Sequence, residues 1–443
     1  MTPARRKQIR QLLWLYFWLL IFEGALRKWF LPSLANPLLL VRDPIALVAL
    51  GLGWPLLIKQ PWRAWTQSVL LIGVIAFLLA VTVGHGDFPT AFFGARVMVL
   101  QFPLIFLYGA VFDRKDVIRF AWTLLVICIP MAILIAMQSN LPDTNILNVG
   151  VGGQGTSTYD GAMGRSRPPG TFSFISGVAS FFPLAAAALF VQLYNNVRLT
   201  NFLRIFCCIA GIALVVALPV SISRTLLFGY LMVLAAVIAA LAISRTRMSS
   251  LFSGLFAVAL AVGLATTVPA FQDTSAAFMA RWAKAAEAGD RGVVRSEVGD
   301  IGVAASQFQT RVLPGFLAPF DQMDRTPLLG YGVGMGSNLG ASRIFGVIGF
   351  LVGEGAWENH IGELGPILGL AMIFWRIALA GWILRLSIAA SARGNRVPLI
   401  LAGASFYAVL IGQIAQPTGL GFVVLSAGLT LAALNAGPTP AFR

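Results

Sequence analysis

The sequence predicts an all-α polytopic membrane protein of about twelve transmembrane helices. Three observations support this: an extreme apolar composition, apolar runs of spanning length, and basic residues in alternate connections. Of 443 residues, 58% are hydrophobic and 11% charged, and the mean hydropathy is +0.82. That balance excludes an ordinary soluble domain, so residues 1–443 are expected to form a single integral membrane domain.

A run must hold roughly 20 residues to cross about 30 Å of hydrocarbon. Twelve such runs centre on Trp18, Val48, Ile75, Phe106, Val126, Pro183, Gly211, Leu234, Leu260, Ala371, Tyr407 and Ser426. An even number puts both termini on one side. The basic start, MTPARRKQIR, meets no small-residue cleavage site after its apolar run, so an uncleaved first span is expected.

Basic residues then orient the chain. Arg5, Arg6, Lys7 and Arg10 precede the first run, Lys59 and Arg63 follow the second, and Arg114, Lys115 and Arg119 follow the fourth. Arg198 and Arg204, Arg245 and Arg247, and Arg385, Arg393 and Arg396 fill the remaining alternate connections. The positive-inside rule therefore predicts cytoplasmic termini, with Arg27 and Lys28 as the exception. This distribution explains much of the net charge of +15, and no nucleic-acid partner is implied. Cys128, Cys207 and Cys208 lie inside apolar runs and read as small buried hydrophobes.

Two long connections fall on the outer face, residues 139–170 and 272–359. Within the second, FMARWAKAAEA places Phe278, Trp282, Ala285 and Ala286 on one face of an expected surface helix. A connection this long in a compact bundle is usually functional. No internal repeat and no low-complexity tract is evident.

The chemistry-bearing residues gather on this same face. His360, one of two histidines, lies three residues before Glu363 where the long connection enters a span. One helical turn separates them, so they can share a face. A titratable pair at the edge of an apolar span is costly to keep and suggests function. Glu354 and Glu358 lie just upstream, and a neighbouring carboxylate would orient an imidazole. The alternative is an interfacial histidine bonded to a carbonyl, as expected for His85.

Arg165, Arg167, Arg224, Arg325 and Arg343 are arginines that orientation does not explain. Their planar forks match phosphate oxygens, although each could instead pair with a headgroup or a carboxylate. Arg42, beside Asp43, reads as one half of a structural ion pair, and Arg96 as a weaker functional candidate. GYGVGMG (330–336) lacks the GxGxxG spacing and reads as a flexible loop whose backbone can approach a ligand. No metal-ligand cluster stands out, so neither a metal nor a cofactor is expected.

RPPGTFSF, the Ser223-Arg224 pair opening a span, PLLGYGVG (327–334) and NHIGELG (359–365) occur in an order that resembles the O-antigen ligase and Wzy-type polysaccharide polymerase superfamily. The likeness covers roughly Arg165 to Leu370, and EGALRKWFLP and RDP are similar to an exopolysaccharide-polymerase branch. It implies a GT-C-like fold and an inverting, metal-independent glycosyltransferase. The donor would be an undecaprenyl-pyrophosphate-linked glycan at the periplasmic face of the bacterial inner membrane. The acceptor would be a glycan or a lipid, and membrane lipids and a chain-length regulator protein would be partners. By resemblance His360 is the catalytic base and Arg224, with Arg167 and Arg343, holds the donor pyrophosphate. Glu363, Asn359 and Tyr331 are expected to support them. The family's usual His-Asn order is reversed here to Asn359-His360. Polymerase, ligase and a flippase for lipid-linked sugars remain as alternatives.

Overall fold

The computed structural model describes residues 1–163, 165–195, 200–244, 272–280, 317, 319–346 and 355–435. Among them the protein is an all-α polytopic membrane protein with one small β-hairpin. Ten helical segments are long and apolar enough to cross a membrane, and Val397–Ile411 is a shorter apolar helix. They cover eleven of the twelve expected runs. The run centred on Leu260 lies outside the described residues.

The helices that matter here are α1 (Pro3–Ala25), α2 (Arg42–Leu57), α3 (Trp62–Thr82), α4 (Phe88–Arg96), α5 (Phe102–Val111) and α6 (Arg114–Asn140). They are followed by α7 (Ser176–Tyr194), α8 (Asn201–Ser221), α9 (Arg224–Ile243) and α10 (residues 272–280). The last four are α11 (Asn338–Phe345), α12 (Ala356–Ala392), α13 (Val397–Ile411) and α14 (Pro417–Leu434). Helices α5 and α14 are buried along most of their length and form the centre of the bundle. By contrast, α2 and α3 turn large apolar side chains such as Leu47, Val48, Leu71 and Leu78 outward, as lipid-facing helices do.

Local sequence explains the ends of these elements. Asp113 caps α6 through the Lys115 and Asp116 N–H groups, while Asp116 returns a bond to the Asp113 N–H. Ser223 caps α9 and Ser337 caps α11. Short π-helical turns at Leu26–Phe30 and Val97–Gln101 interrupt the first and fourth apolar runs. The 139–170 connection holds the hairpin, Tyr159–Ala162 against Arg165–Arg167.

Buried charges join the helices near one end of the bundle. Arg42 donates to Glu23 at 2.9 Å, to the Tyr16 hydroxyl at 3.3 Å and to the Pro417 carbonyl at 2.7 Å. Tyr16 donates to Gln101, Gln101 donates to Asp43 at 2.6 Å, and Arg96 reaches both Asp43 oxygens at 2.8 Å. The ion pair expected between Arg42 and Asp43 is therefore not formed; each has a partner on another element. Consecutive residues of a helix diverge in direction, whereas neighbouring helices can face each other.

Arg27 and Lys28 are also buried. Lys28 donates to the Gly170 carbonyl at 2.7 Å, and Arg27 to the Ala35 carbonyl at 2.7 Å and the Ser173 hydroxyl at 3.0 Å. They are structural cations rather than loop charges, which explains their departure from the positive-inside pattern. Cys128 and Cys207 are buried as expected, but Cys208 is exposed on the outer face of α8.

Removing one member of a buried charged group leaves the others uncompensated, at a cost of about 3–5 kcal/mol. Glu23→Gln is therefore expected to lower the unfolding temperature in detergent far more than Arg63→Gln, a change at the surface. Similar unfolding temperatures for the two variants would count against a structural role for the Glu23 network.

Candidate functional site

The site begins with a break in a helix. Gly365 has φ 78° and ψ 169° inside α12, and Pro366 follows it. Glycine tolerates the positive φ, and proline disfavours helical geometry in the residue before it. The break separates a short leading segment, residues 356–364, from the long remainder of the helix. Pro366 has no N–H, so the Gly362 carbonyl loses its normal helical partner.

The glycine loop supplies replacements. The Tyr331 N–H donates to the Gly362 carbonyl at 2.8 Å, and the Gly332 N–H to the Glu363 carbonyl at 3.0 Å. The loop can lie this close because Gly330, Gly332 and Gly334 have positive φ and no Cβ. A Cβ on Gly332 would strike His85, and one on Gly334 would strike the Thr90 backbone. The expected flexible loop is therefore packed backbone to backbone against α12 and α4. Its glycines serve packing within the protein.

The leading segment also folds back on its own helix. A Cβ on Gly369 would approach the His360 carbonyl at 2.6 Å. His360 is buried, and its Nε2 lies 2.9 Å from Nη1 of Arg376. Arg376 is 0% exposed. Its Nε donates to the Val409 carbonyl at 2.8 Å, and its Nη2 donates to the carbonyls of Gly412 at 2.7 Å and Ala408 at 3.4 Å. These acceptors lie at the C-terminal end of α13, where the helix dipole favours a cation.

Asn359, His360 and Glu363 line one cleft with Phe93, Gly94 and Gln413. About 430 Å³ of space lies in and in front of it, open solvent included. Glu363 accepts from the Gly336 N–H at 2.7 Å. Both polar atoms of the Asn359 amide are buried without a hydrogen-bond partner. An unpaired buried amide costs free energy, and its presence in a cleft marks a place for a polar ligand group.

The structure thus brings three of the expected site residues together. The carboxylate expected beside the imidazole is replaced by a guanidinium. Glu358 turns away to cap the Gly355 N–H at 3.0 Å, and Glu354 lies outside the described residues. Tyr331 touches α12 through its backbone, while its side chain is 40% exposed and donates to the Arg325 carbonyl at 3.1 Å.

Arg343 lies on the surface and pairs with Asp87 at 3.1 and 3.2 Å. Arg224 stands at the first turn of α9, and Arg167 lies on the hairpin. Neither lines the cleft; α9 packs on α12 and α13, whose residues form part of its wall, and the hairpin packs on α6. Phe228, one turn beyond Arg224, packs on Tyr407 at 4.9 Å, beside the carbonyls that hold Arg376. The Ser176 hydroxyl donates to Gln416 at 2.7 Å, tying the segment after the hairpin to the cleft wall. Of the expected surface helix, Phe278 to Ala288, only residues 278–280 are described; they end a helix over 272–280 in which Ala277 packs on Ile222, just before Ser223-Arg224. Trp282, Ala285 and Ala286 lie outside the described residues.

Arg376 and Gln413 are not among the site residues expected from the sequence. A signal for Arg376 existed, because a lone arginine in AMIFWRIALAG is expensive in a span and needs a reason. Gln413 had none, being a polar residue in an ordinary connection.

The chain matches no family model, no characterised protein and no solved structure.

The Asp87–Arg343 pair fastens α11 to the start of α4, beside the cleft wall. The Arg343 hydrogen bonds, with those of Thr90, hold the Asp87 carboxyl well below the usual carboxylate range. A depressed folded-state value contributes stability above the unfolded value of about 3.9, and that stability is lost as pH falls through the lower folded value. Asp87→Asn keeps a cap for α4 but removes the charge. The difference in unfolding temperature between wild type and this variant is expected to persist from neutral pH down to about 4 and to shrink in stronger acid. Its disappearance by about pH 5 would contradict the assignment.

Proposed function

We propose that the protein is a membrane glycosyltransferase that polymerises polyprenyl-pyrophosphate-linked glycan units. The observation that carries this reading is the convergence of Asn359, His360 and Glu363 on one cleft. Two proton-handling side chains and an unpaired amide suit a sugar hydroxyl that must be gripped and deprotonated. Arg224, and less directly Arg167, would hold the carrier pyrophosphate, because a planar guanidinium matches phosphate oxygens.

In the reaction, an acceptor hydroxyl oxygen attacks the anomeric carbon of the donor and inverts it. The bond from that carbon to the pyrophosphate oxygen breaks, and its electron pair leaves with the pyrophosphate. The acceptor proton passes to a base in the cleft. Pyrophosphate is a good leaving group, so positioning and charge stabilisation can supply most of the acceleration. Twelve spans, a GT-C-like arrangement, cytoplasmic termini and a periplasmic site in the bacterial inner membrane belong to the same proposal. The alternation of basic connections supports that orientation.

A ligase would use the same cleft with a different acceptor, lipid A core or another molecule. A flippase for lipid-linked sugars is favoured by one feature, the broken α12 with a buried arginine beyond the break. A reconstituted assay with a defined pyrophosphate-linked glycan distinguishes all three readings. Wild type is expected to extend the glycan, and His360→Ala and Arg224→Ala to lose at least about 100-fold in rate while remaining folded. Product only with a second acceptor would identify a ligase. Carrier flipping without glycan transfer would identify a transporter. Full-length polymer from His360→Ala would remove His360 from the mechanism.

A further inference from the structure

The contact between Arg376 and His360 constrains where protons can sit. A guanidinium has five N–H groups and no acceptor. The imidazole must therefore present a lone pair at Nε2, 2.9 Å from Nη1. An imidazolium would oppose hydrogen to hydrogen, so the ring is neutral and carries its single proton on Nδ1.

Arg376 is not free to release the ring. Its Nε and Nη2 are fastened to the carbonyls of Val409, Gly412 and Ala408, and the guanidinium is wholly buried. All four of its hydrogen bonds go to neutral acceptors. The fork is thereby held in one orientation, and the break at Gly365 brings His360 back to meet it.

Glu363 occupies the opposite situation. It lines the same cleft and accepts from the Gly336 N–H of the glycine loop at 2.7 Å. A carboxylate offers about four lone-pair sites, so this bond orients it and leaves capacity to take a proton.

We propose that Arg376 is a positioning residue that holds His360 as the Nδ1–H tautomer, making His360 a hydrogen-bond donor and Glu363 the proton acceptor. This inference rests on the glycosyltransferase reading and reverses the roles expected for the two side chains. The acceptor hydroxyl gives its proton to Glu363 as its oxygen bonds to the anomeric carbon. His360 keeps its proton and directs Nδ1–H at an oxygen of the bound donor as the pyrophosphate departs. Arg376 touches neither sugar nor phosphate.

The first test does not depend on turnover. The chain has two histidines, His85 and His360, so His85→Gln leaves one. Nitrogen NMR of this variant, labelled with ¹⁵N-histidine in detergent, is expected to show the neutral Nδ1–H form between pH about 6 and 8. The Nε2–H form, or an imidazolium, in that range overturns the proposal.

The second test uses the glycan-extension assay. Asparagine can place an amide N–H near the position of Nδ1 but cannot act as a base. His360→Asn is expected to keep at least about a tenth of the wild-type kcat, while Glu363→Gln loses at least about 100-fold. His360→Asn as inactive as His360→Ala, with Glu363→Gln active, overturns the proposal. Absence of glycan transfer by wild type, with the Nδ1–H signal present, defeats the glycosyltransferase reading and leaves the tautomer assignment standing.

Discussion

The interruption of α12 at Gly365 and Pro366 is the constraint from which the site follows. It removes one helical hydrogen bond and re-aims another carbonyl. Backbone carbonyls left unpaired inside an apolar environment are costly, so they must find donors. The Tyr331 and Gly332 N–H groups meet that need, and in doing so they bring the glycine loop onto the leading segment of the helix. The same contact sets the Gly336 N–H against Glu363. On the other side of the segment, His360 is folded back against Gly369 and Arg376.

Two buried cation systems serve different ends here. Arg42 and Arg96 face Glu23 and Asp43, and their hydrogen bonds extend through Tyr16 and Gln101. That pairing lets charge persist between helices. Arg376 instead rests on carbonyls at a helix C-terminus and on a neutral ring. A charge held by dipoles alone is a less economical way to join helices than a matched ion pair. Its Nη1 faces His360, a residue of the cleft wall.

The arginines singled out by pattern divide in the same manner. Arg343 is engaged at the surface by Asp87, and Arg165 by Asp273 at 3.2 Å and Asn140 at 3.0 Å. Arg224 opens α9 and Arg167 lies on the hairpin, both away from the cleft lining. A guanidinium can satisfy a carboxylate as readily as a phosphate, so side-chain type alone does not separate these cases. Only the neighbours do.

Hydropathy needs no neighbours, and that is why the sequence by itself determined the membrane character and the centres of the described spanning helices. It also drew attention to NHIGELG, because a histidine and a carboxylate one turn apart share a face in any helix. Tertiary structure alone decided which charges meet. Asp43 turns from Arg42 to Arg96, the imidazole takes a guanidinium in place of a carboxylate, and the glycine loop packs on protein. Each outcome depends on residues tens to hundreds of positions apart, or on a backbone break that folds a helix onto itself. A pattern of local spacing carries no record of such approaches.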